Sequence, residues 1–366
     1  MKVCSSVLQF GGGRFLRAFV DLFIEQSLGA GQDVGGVVVV QSTNSPRARY
    51  FNSQADGYHI LIRGIVDGNR MDCIEPVRVV RRAIIAEEAW KEIQSIALQE
   101  DLKWIVSNVT EAGYKLESND SIGRPRSFPA KIASVLLSRY SAGLSGLNIL
   151  PCELLPENGK RLYELVRKQS EIWKLPDDFF SWLAFDCIWA DTLVDRIVSR
   201  PPPDHPLLKQ DRLLAVAEPF AFWGIQARKE MPLFLHSSIF RVDDLTPYTT
   251  RKLRILNGAH SALVCRAMPQ GFVTVREAME NGAIRSWLER LLFEEIVPVV
   301  EKTAIDTKDF ALSVLERLSN PYLDHKFSDI FLCHEVKMNT RLRPTYDEFI
   351  KLRGYAPALL EDILFN

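Results

Sequence analysis

Three features of the 366-residue sequence predict an α/β chain, with an open, doubly wound sheet domain followed by a mostly α-helical one. A short apolar run at residues 7–10 ends in three consecutive glycines, and helical spacing follows. An uninterrupted β-branched run at 37–40 has the character of a strand covered on both faces of a parallel sheet. Beyond about Thr246 the apolar pattern has an almost wholly helical period.

The elements follow in order. Phe15, Leu16, Phe19, Val20, Phe23 and Ile24 share one helical stripe, predicting a helix over residues 15–28, and a glycine-rich break spans 29–36. Further strands are expected at 58–62, 77–80, 102–106 and 147–150, with helices at 87–98 and 130–140. This β-α-β alternation is the pattern of a doubly wound sheet. Residues 200–206, Arg-Pro-Pro-Pro-Asp-His-Pro, suit neither helix nor central strand and read as a connector. A boundary near 200 gives a dinucleotide-binding domain, 1–200, and a helical catalytic domain, 201–366. In the latter, a long amphipathic helix is expected at 276–300 and shorter ones at 307–318 and 345–352.

Composition excludes several function classes. The chain is 47% hydrophobic and 25% charged with a formal net charge of −1, so no basic field points to nucleic acid. No apolar run reaches the roughly 18 residues of a membrane span. The N-terminus has one lysine and a short apolar stretch that reads as a first strand, not a signal peptide. The six cysteines, Cys4, Cys73, Cys152, Cys187, Cys265 and Cys333, are scattered with no CxxC pair. They read as buried thiols of a reducing compartment. Cys333-His334 with His325 is the only loose Cys/His cluster, and no metal site is expected.

A strand running into Gly11-Gly12-Gly13 and then a helix has the layout of a phosphate cradle. Glycine allows a tight turn and close backbone approach, and the helix start offers free N–H groups. Its place at the start of the chain suits the first unit of a Rossmann-type domain. Two positions depart from the usual fingerprint. Leu16 stands where a third glycine is common. The second strand ends in Gln41-Ser42-Thr43 without an acid for the ribose. Gln41 is able to accept a ribose hydrogen bond, whereas Arg47 or Arg49 suits a 2′-phosphate, so NAD and NADP stay open on the residues alone.

The second constellation is Arg251-Lys-Leu-Arg-Ile-Leu-Asn-Gly-Ala-His260. On an α-helix Asn257 lies about 140° from Lys252, and His260 about 80°. All three fall on the side of Leu256, Leu263 and Val264. Three polar groups on a buried stripe are costly unless they line a cleft. The chemistry suits carbonyl reduction: a desolvated lysine gives the proton, an asparagine amide steadies the oxyanion, and a histidine fixes a neighbouring hydroxyl.

This helix resembles the Lys-x4-Asn-x2-His signature of the polyol-specific long-chain dehydrogenase/reductases, the mannitol dehydrogenase family. Also similar are Gln9-Phe-Gly-Gly-Gly-Arg-Phe-Leu-Arg-Ala18, Ser107-Asn-Val-Thr-Glu-Ala-Gly-Tyr114, Leu193-Val-Asp-Arg-Ile197 and Ser319-Asn-Pro321. Pro151-Cys-Glu-Leu-Leu-Pro-Glu-Asn-Gly159, Asp244-Leu-Thr-Pro-Tyr248 and Asn320-Pro-Tyr-Leu-Asp-His325 are similar to its ketouronate-reducing branch.

The resemblance implies a metal-free, NAD(H)-dependent oxidoreductase of the cytoplasm. Its partner would be a small-molecule sugar acid, with a ketouronate and an aldonate interconverted, tagaturonate and altronate being the pair that branch implies. Gly11, Gly12, Gly13, Arg14 and Phe15 would hold the pyrophosphate, with Gln41, Asn108 and Thr110 beside the cofactor. Lys252 would be the acid/base, Asn257 the carbonyl polariser and His260 the substrate-orienting residue. Asp191 stands where the family carries an asparagine as second oxyanion donor. Lys337, with Arg341 or Arg343 nearby, would face the uronate carboxylate. The helical domain is expected to be shortened relative to the family. A fructuronate or polyol dehydrogenase of the same family is the enzymatic alternative. Asp191 and the shortened domain motivate one of another class, a degenerate sensor that binds NAD or a sugar acid without turnover.

Overall fold

The first apolar run forms a strand, Ser5–Phe10, at the centre of a six-stranded parallel sheet. The computed structural model describes residues 5–227 and 230–365, so Cys4 and the N-terminal residues before it lie outside the described residues. The strand order is Val80–Ile85, Gly36–Gln41, Ser5–Phe10, Trp104–Ser107, Asn148–Pro151, Ile188–Trp189. From Ser5–Phe10 the chain winds outward one way, then restarts at Trp104–Ser107 and winds the other way. That reversal is the switch point where doubly wound sheets bind ligands, beyond the carboxyl ends of the strands. Gly11 and Asn108 stand at those ends. Leu8, Phe10, Val38, Val40, Ile105 and Ile149 pack on Ile132, Val135 and Leu136 of the helix Phe128–Ser141. That helix starts at Phe128, two residues before the expected 130, because the Ser127 hydroxyl caps it by accepting the Ala130 N–H.

Several features differ from expectation. Of the described cysteines, Cys152 and Cys187 are buried, but Cys333 is exposed at the turn before the helix His334–Arg341, and Cys73 and Cys265 are half-buried. The helix expected over 15–28 is two pieces, a single turn Arg14–Arg17 and Val20–Gly29. Arg196 donates to the Ala18 carbonyl at the break, at 2.9 Å. The run at 58–62 is not a parallel strand. It begins Tyr58–Val66, which turns at Asp67 and Gly68, both in the left-handed region, into Asn69–Val77. The strand expected at 77–80 lies instead at Val80–Ile85.

The chain packs as two units. One comprises Met1–Leu61, Ile74–Ala217 and Ala221–Asp243; the other comprises Ile62–Cys73, Glu218–Phe220 and Asp244–Asn366. The main division thus falls at Asp243/Asp244, later than the proline-rich connector near 200. The reason is that Phe222–Gln226 pairs antiparallel with Asp191–Asp195, keeping the following segment in the first unit. The second unit is helical around Leu263, Leu288, Leu292, Val300 and Val314. The expected helix 276–300 is interrupted at Asn281, whose side chain accepts the Ala283 and Ile284 N–H groups and restarts the helix.

Candidate active site

In the sheet unit, a cleft of about 350 Å³ opens at the switch point. Gly11, Gly12, Gly13, Gln41, Asn108 and Thr110 line it, with Arg47, Arg126 and Lys131. The three glycines have different reasons to be glycine. Gly11 has φ +117°, and a Cβ there would sit 2.9 Å from the Asn108 carbonyl. A Cβ on Gly12 would meet the Phe51 ring at 2.9 Å. At Gly13 the nearest heavy atom to a Cβ is Arg47 Nη1, at 3.8 Å, so a side chain there projects into the cleft. A turn kept bare on its cleft side fits a diphosphate lying close to the backbone.

Arg14 and Phe15 do not line the cleft. Arg14 is exposed. Phe15 stacks on Phe19 at 4.8 Å. Gln41 lines the cleft, but its amide is turned into the loop beside it. Its Oε1 accepts the Ala48 N–H, and its Nε2 donates to the Thr43 and Ser45 carbonyls. Arg47 lines the cleft, whereas Arg49 is exposed and does not.

The segment Ser107–Tyr114 is organised by a residue that sequence reasoning did not single out, Glu153. Its buried carboxylate accepts from the Ser107 hydroxyl, the Val109 N–H and the Tyr114 hydroxyl. Burial raises its pKa, and these three donors oppose that rise. Asn108 is fixed in the same way, donating to the Cys152 carbonyl at 2.6 Å. A glutamate two residues past a strand end, just after Cys152, was the available signal.

In the helical unit, Lys252–Leu256 is a π-helical segment between the helices Thr246–Arg251 and Asn257–Ala267. The Asn257 N–H reaches the Lys252 carbonyl, a five-residue step, as well as that of Leu253. The wider π turn reduces the 140° separation of an α-helix and brings Lys252 and Asn257 toward a common face. π-Bulges of this kind are frequent at functional sites. The helix is braced by a bidentate ion pair from Arg254 to Glu348.

His260 is buried, and its Nδ1 lies 2.9 Å from the Leu256 carbonyl. A carbonyl only accepts, so Nδ1 carries the proton and Nε2 keeps a lone pair. Burial, and next the neighbouring His325, lower its pKa to about 3, so the ring is neutral. His325 packs edge-on against it at 5.1 Å. Arg341 donates to the Ser261 hydroxyl at 3.1 Å and reaches the Asn257 carbonyl, which places a cation on the turn that carries Asn257 and His260. Lys337, one turn earlier, donates to the Ile330 carbonyl at 2.7 Å. Burial lowers the pKa of both cations, and Arg341 lowers that of Lys337 further. The helical unit thus gathers Lys252, Asn257, His260, Lys337 and Arg341.

Asp191 belongs to the sheet unit, and its carboxylate already has a partner. Its Oδ1 accepts the Lys160 N–H at 3.0 Å, in the first turn of the helix Asn158–Ile172. That is a capping position for a carboxylate. It lines a second cleft of about 590 Å³ with Lys160, Tyr163 and Trp189.

Comparison with known proteins follows the same division. The mannitol dehydrogenase Rossmann domain family matches residues 5–233, and the mannitol dehydrogenase C-terminal domain family matches residues 244–360. An altronate oxidoreductase of Halalkalibacterium halodurans is 37% identical, over 97% of this chain and 72% of its own. The altronate oxidoreductase of Bacillus subtilis is 35% identical, over 97% and 77%. Among solved structures, D-sorbitol dehydrogenase in substrate-free form superposes with a TM-score of 0.83 at 20% identity, over 96% of this chain and 77% of its own. Pseudomonas fluorescens mannitol 2-dehydrogenase, a ternary complex with NAD and D-mannitol, gives 0.77 at 18%, over 99% and 78%.

Proposed function

The chain belongs to the mannitol dehydrogenase family, and from that premise we propose that it is an NAD(H)-dependent oxidoreductase interconverting tagaturonate and altronate. It is an oxidoreductase of CH–OH groups. The observation that carries the finer reading is the Arg341 guanidinium bonded to the turn of Asn257 and His260, with Lys337 one helical turn before it. A sugar acid brings a carboxylate that a neutral polyol lacks, and a guanidinium recognises it by charge-assisted hydrogen bonds. The names of the relatives support the same class.

The residues divide the work as follows. Gly11, Gly12 and Gly13, with Asn108 and Thr110 opposite, would hold the cofactor's diphosphate at the switch point. The nicotinamide, when bound, supplies or accepts the hydride. Lys252 gives a proton to the developing alkoxide in reduction and takes it from the hydroxyl in oxidation. The Asn257 amide donates to the same oxygen, where negative charge grows. His260, neutral and with Nε2 as acceptor, receives a substrate hydroxyl and so fixes the sugar chain. Loss of nicotinamide absorbance with tagaturonate, against fructuronate and fructose, tests the proposal.

A further inference from the structure

Behind the glycine turn of the sheet unit lies a polar network that the chemistry above does not use. Gln9, Arg17, Asp21 and Tyr58 are all buried, with Gln9 and Asp21 at 0% exposure and Arg17 at 4%. Gln9 Nε2 donates to the Gly11 carbonyl at 3.1 Å. Arg17 Nη1 donates to the Gly12 carbonyl at 2.7 Å, and its Nε donates to the Leu213 carbonyl. Asp21 accepts the Tyr58 hydroxyl at 2.8 Å and Gln9 Nε2 at 3.4 Å. A buried guanidinium bonded to carbonyls is expensive, and burial lowers its pKa to about 10 while it raises that of the nearby Asp21 carboxyl to about 7.

We propose that Gln9 and Arg17 are positioning residues for cofactor binding, which clamp the carbonyls of Gly11 and Gly12 to the buried side of the turn. In a planar trans peptide the carbonyl and the next residue's N–H point in opposite directions. With the carbonyls of Gly11 and Gly12 drawn inward, the N–H groups of Gly12 and Gly13 face the other way. Both residues line the cleft on that other side. The single helical turn Arg14–Arg17 is too short to orient these groups through a long hydrogen-bonded ladder, so the side chains do it. Asp21 and Tyr58 hold Gln9 in the geometry the clamp requires.

This inference rests on the proposed use of NAD(H), and the test separates the two. NADH is titrated into the full chain by nicotinamide fluorescence, for wild type, Gln9→Met and Arg17→Met. Methionine keeps the unbranched stem and removes the donor. The titration midpoint reads folded molecules alone, so partial unfolding lowers the amplitude and leaves the midpoint in place. The expected result is a midpoint at least tenfold higher in both variants. Midpoints within twofold of wild type in the variants overturn the clamp. A wild-type protein that binds no NADH overturns the cofactor assignment itself, and the clamp with it.

Discussion

The amide N–H of Asn257 is bonded to the carbonyl of Lys252, five residues back, so the two residues are joined by a π turn. Lysine and asparagine at this spacing on a regular α-helix diverge by about 140°. The π turn narrows that angle, as the proposed sharing of one substrate oxygen by both side chains requires. The helix is thus irregular between the two residues proposed to cooperate.

Gly13 is expected to be the position where a side chain interferes with cofactor rather than fold, since a Cβ there meets nothing nearer than Arg47 Nη1 at 3.8 Å. Gly13→Val is expected to weaken NADH binding more than tenfold in calorimetry, with the melting temperature nearly unchanged. Gly11→Ala acts differently, because φ +117° and the Asn108 carbonyl oppose any Cβ. It is expected to lose about 1–3 kcal/mol of stability as well. Equal stability losses in both variants contradict the distinction.

Asp191 is expected to behave as a helix cap. Asp191→Asn keeps an oxygen for the Lys160 N–H and leaves stability and rate within a few-fold of wild type. Asp191→Ala costs about 0.5–2 kcal/mol by denaturant unfolding. If Asp191→Asn abolishes turnover at every pH, the carboxylate is catalytic and the cap is incidental.

The doubly wound sheet was legible because its strands are continuous apolar runs, 37–40 above all. The reactive helix was legible as a set of residue types. Its π register was not, since hydrogen-bond register leaves no mark in residue periodicity. Gln41 read as a ribose acceptor because strand-end polar residues serve that purpose elsewhere. Here the loop after it needs its own backbone partners, and Gln41 supplies them. The Gln9 and Arg17 contacts were hidden because a polar residue beside a glycine turn looks the same whether it faces ligand or backbone. The hairpin at 58–77 was missed because its first half is as apolar as a buried parallel strand.

The buried histidine sets an acid limit on stability. His260 is lowered to about 3 in the folded chain from an ordinary value near 6.5. Below about 6.5 the unfolded chain binds the proton and the folded chain does not, so stability falls as pH falls toward 3. The loss is about 1.4 kcal/mol per pH unit in that window. Thermal melts from pH 7 to pH 4 are expected to show a shallower decline in His260→Gln than in wild type. Parallel declines contradict the assignment.

Arg341 is expected to discriminate substrates by charge. Arg341→Ala removes a charge-assisted contact of about 1.5–3 kcal/mol. The KM for tagaturonate then rises roughly 10- to 100-fold. The KM for an uncharged hexulose such as fructose, where measurable, changes little. A proportional rise for both substrates removes the carboxylate role.

The central claim is that this chain reduces a ketouronate with NADH and that Lys252 moves the proton. The most direct measurement is the initial rate of NADH consumption with tagaturonate, for wild type and Lys252→Ala at equal cofactor saturation. The account predicts steady turnover by wild type, with kcat/KM well above that for fructose. It predicts a fall of roughly 10²- to 10⁴-fold in kcat for Lys252→Ala, with the NADH Kd unchanged. No NADH consumption by wild type with tagaturonate, or a Lys252→Ala variant keeping more than about half the wild-type rate, would contradict it.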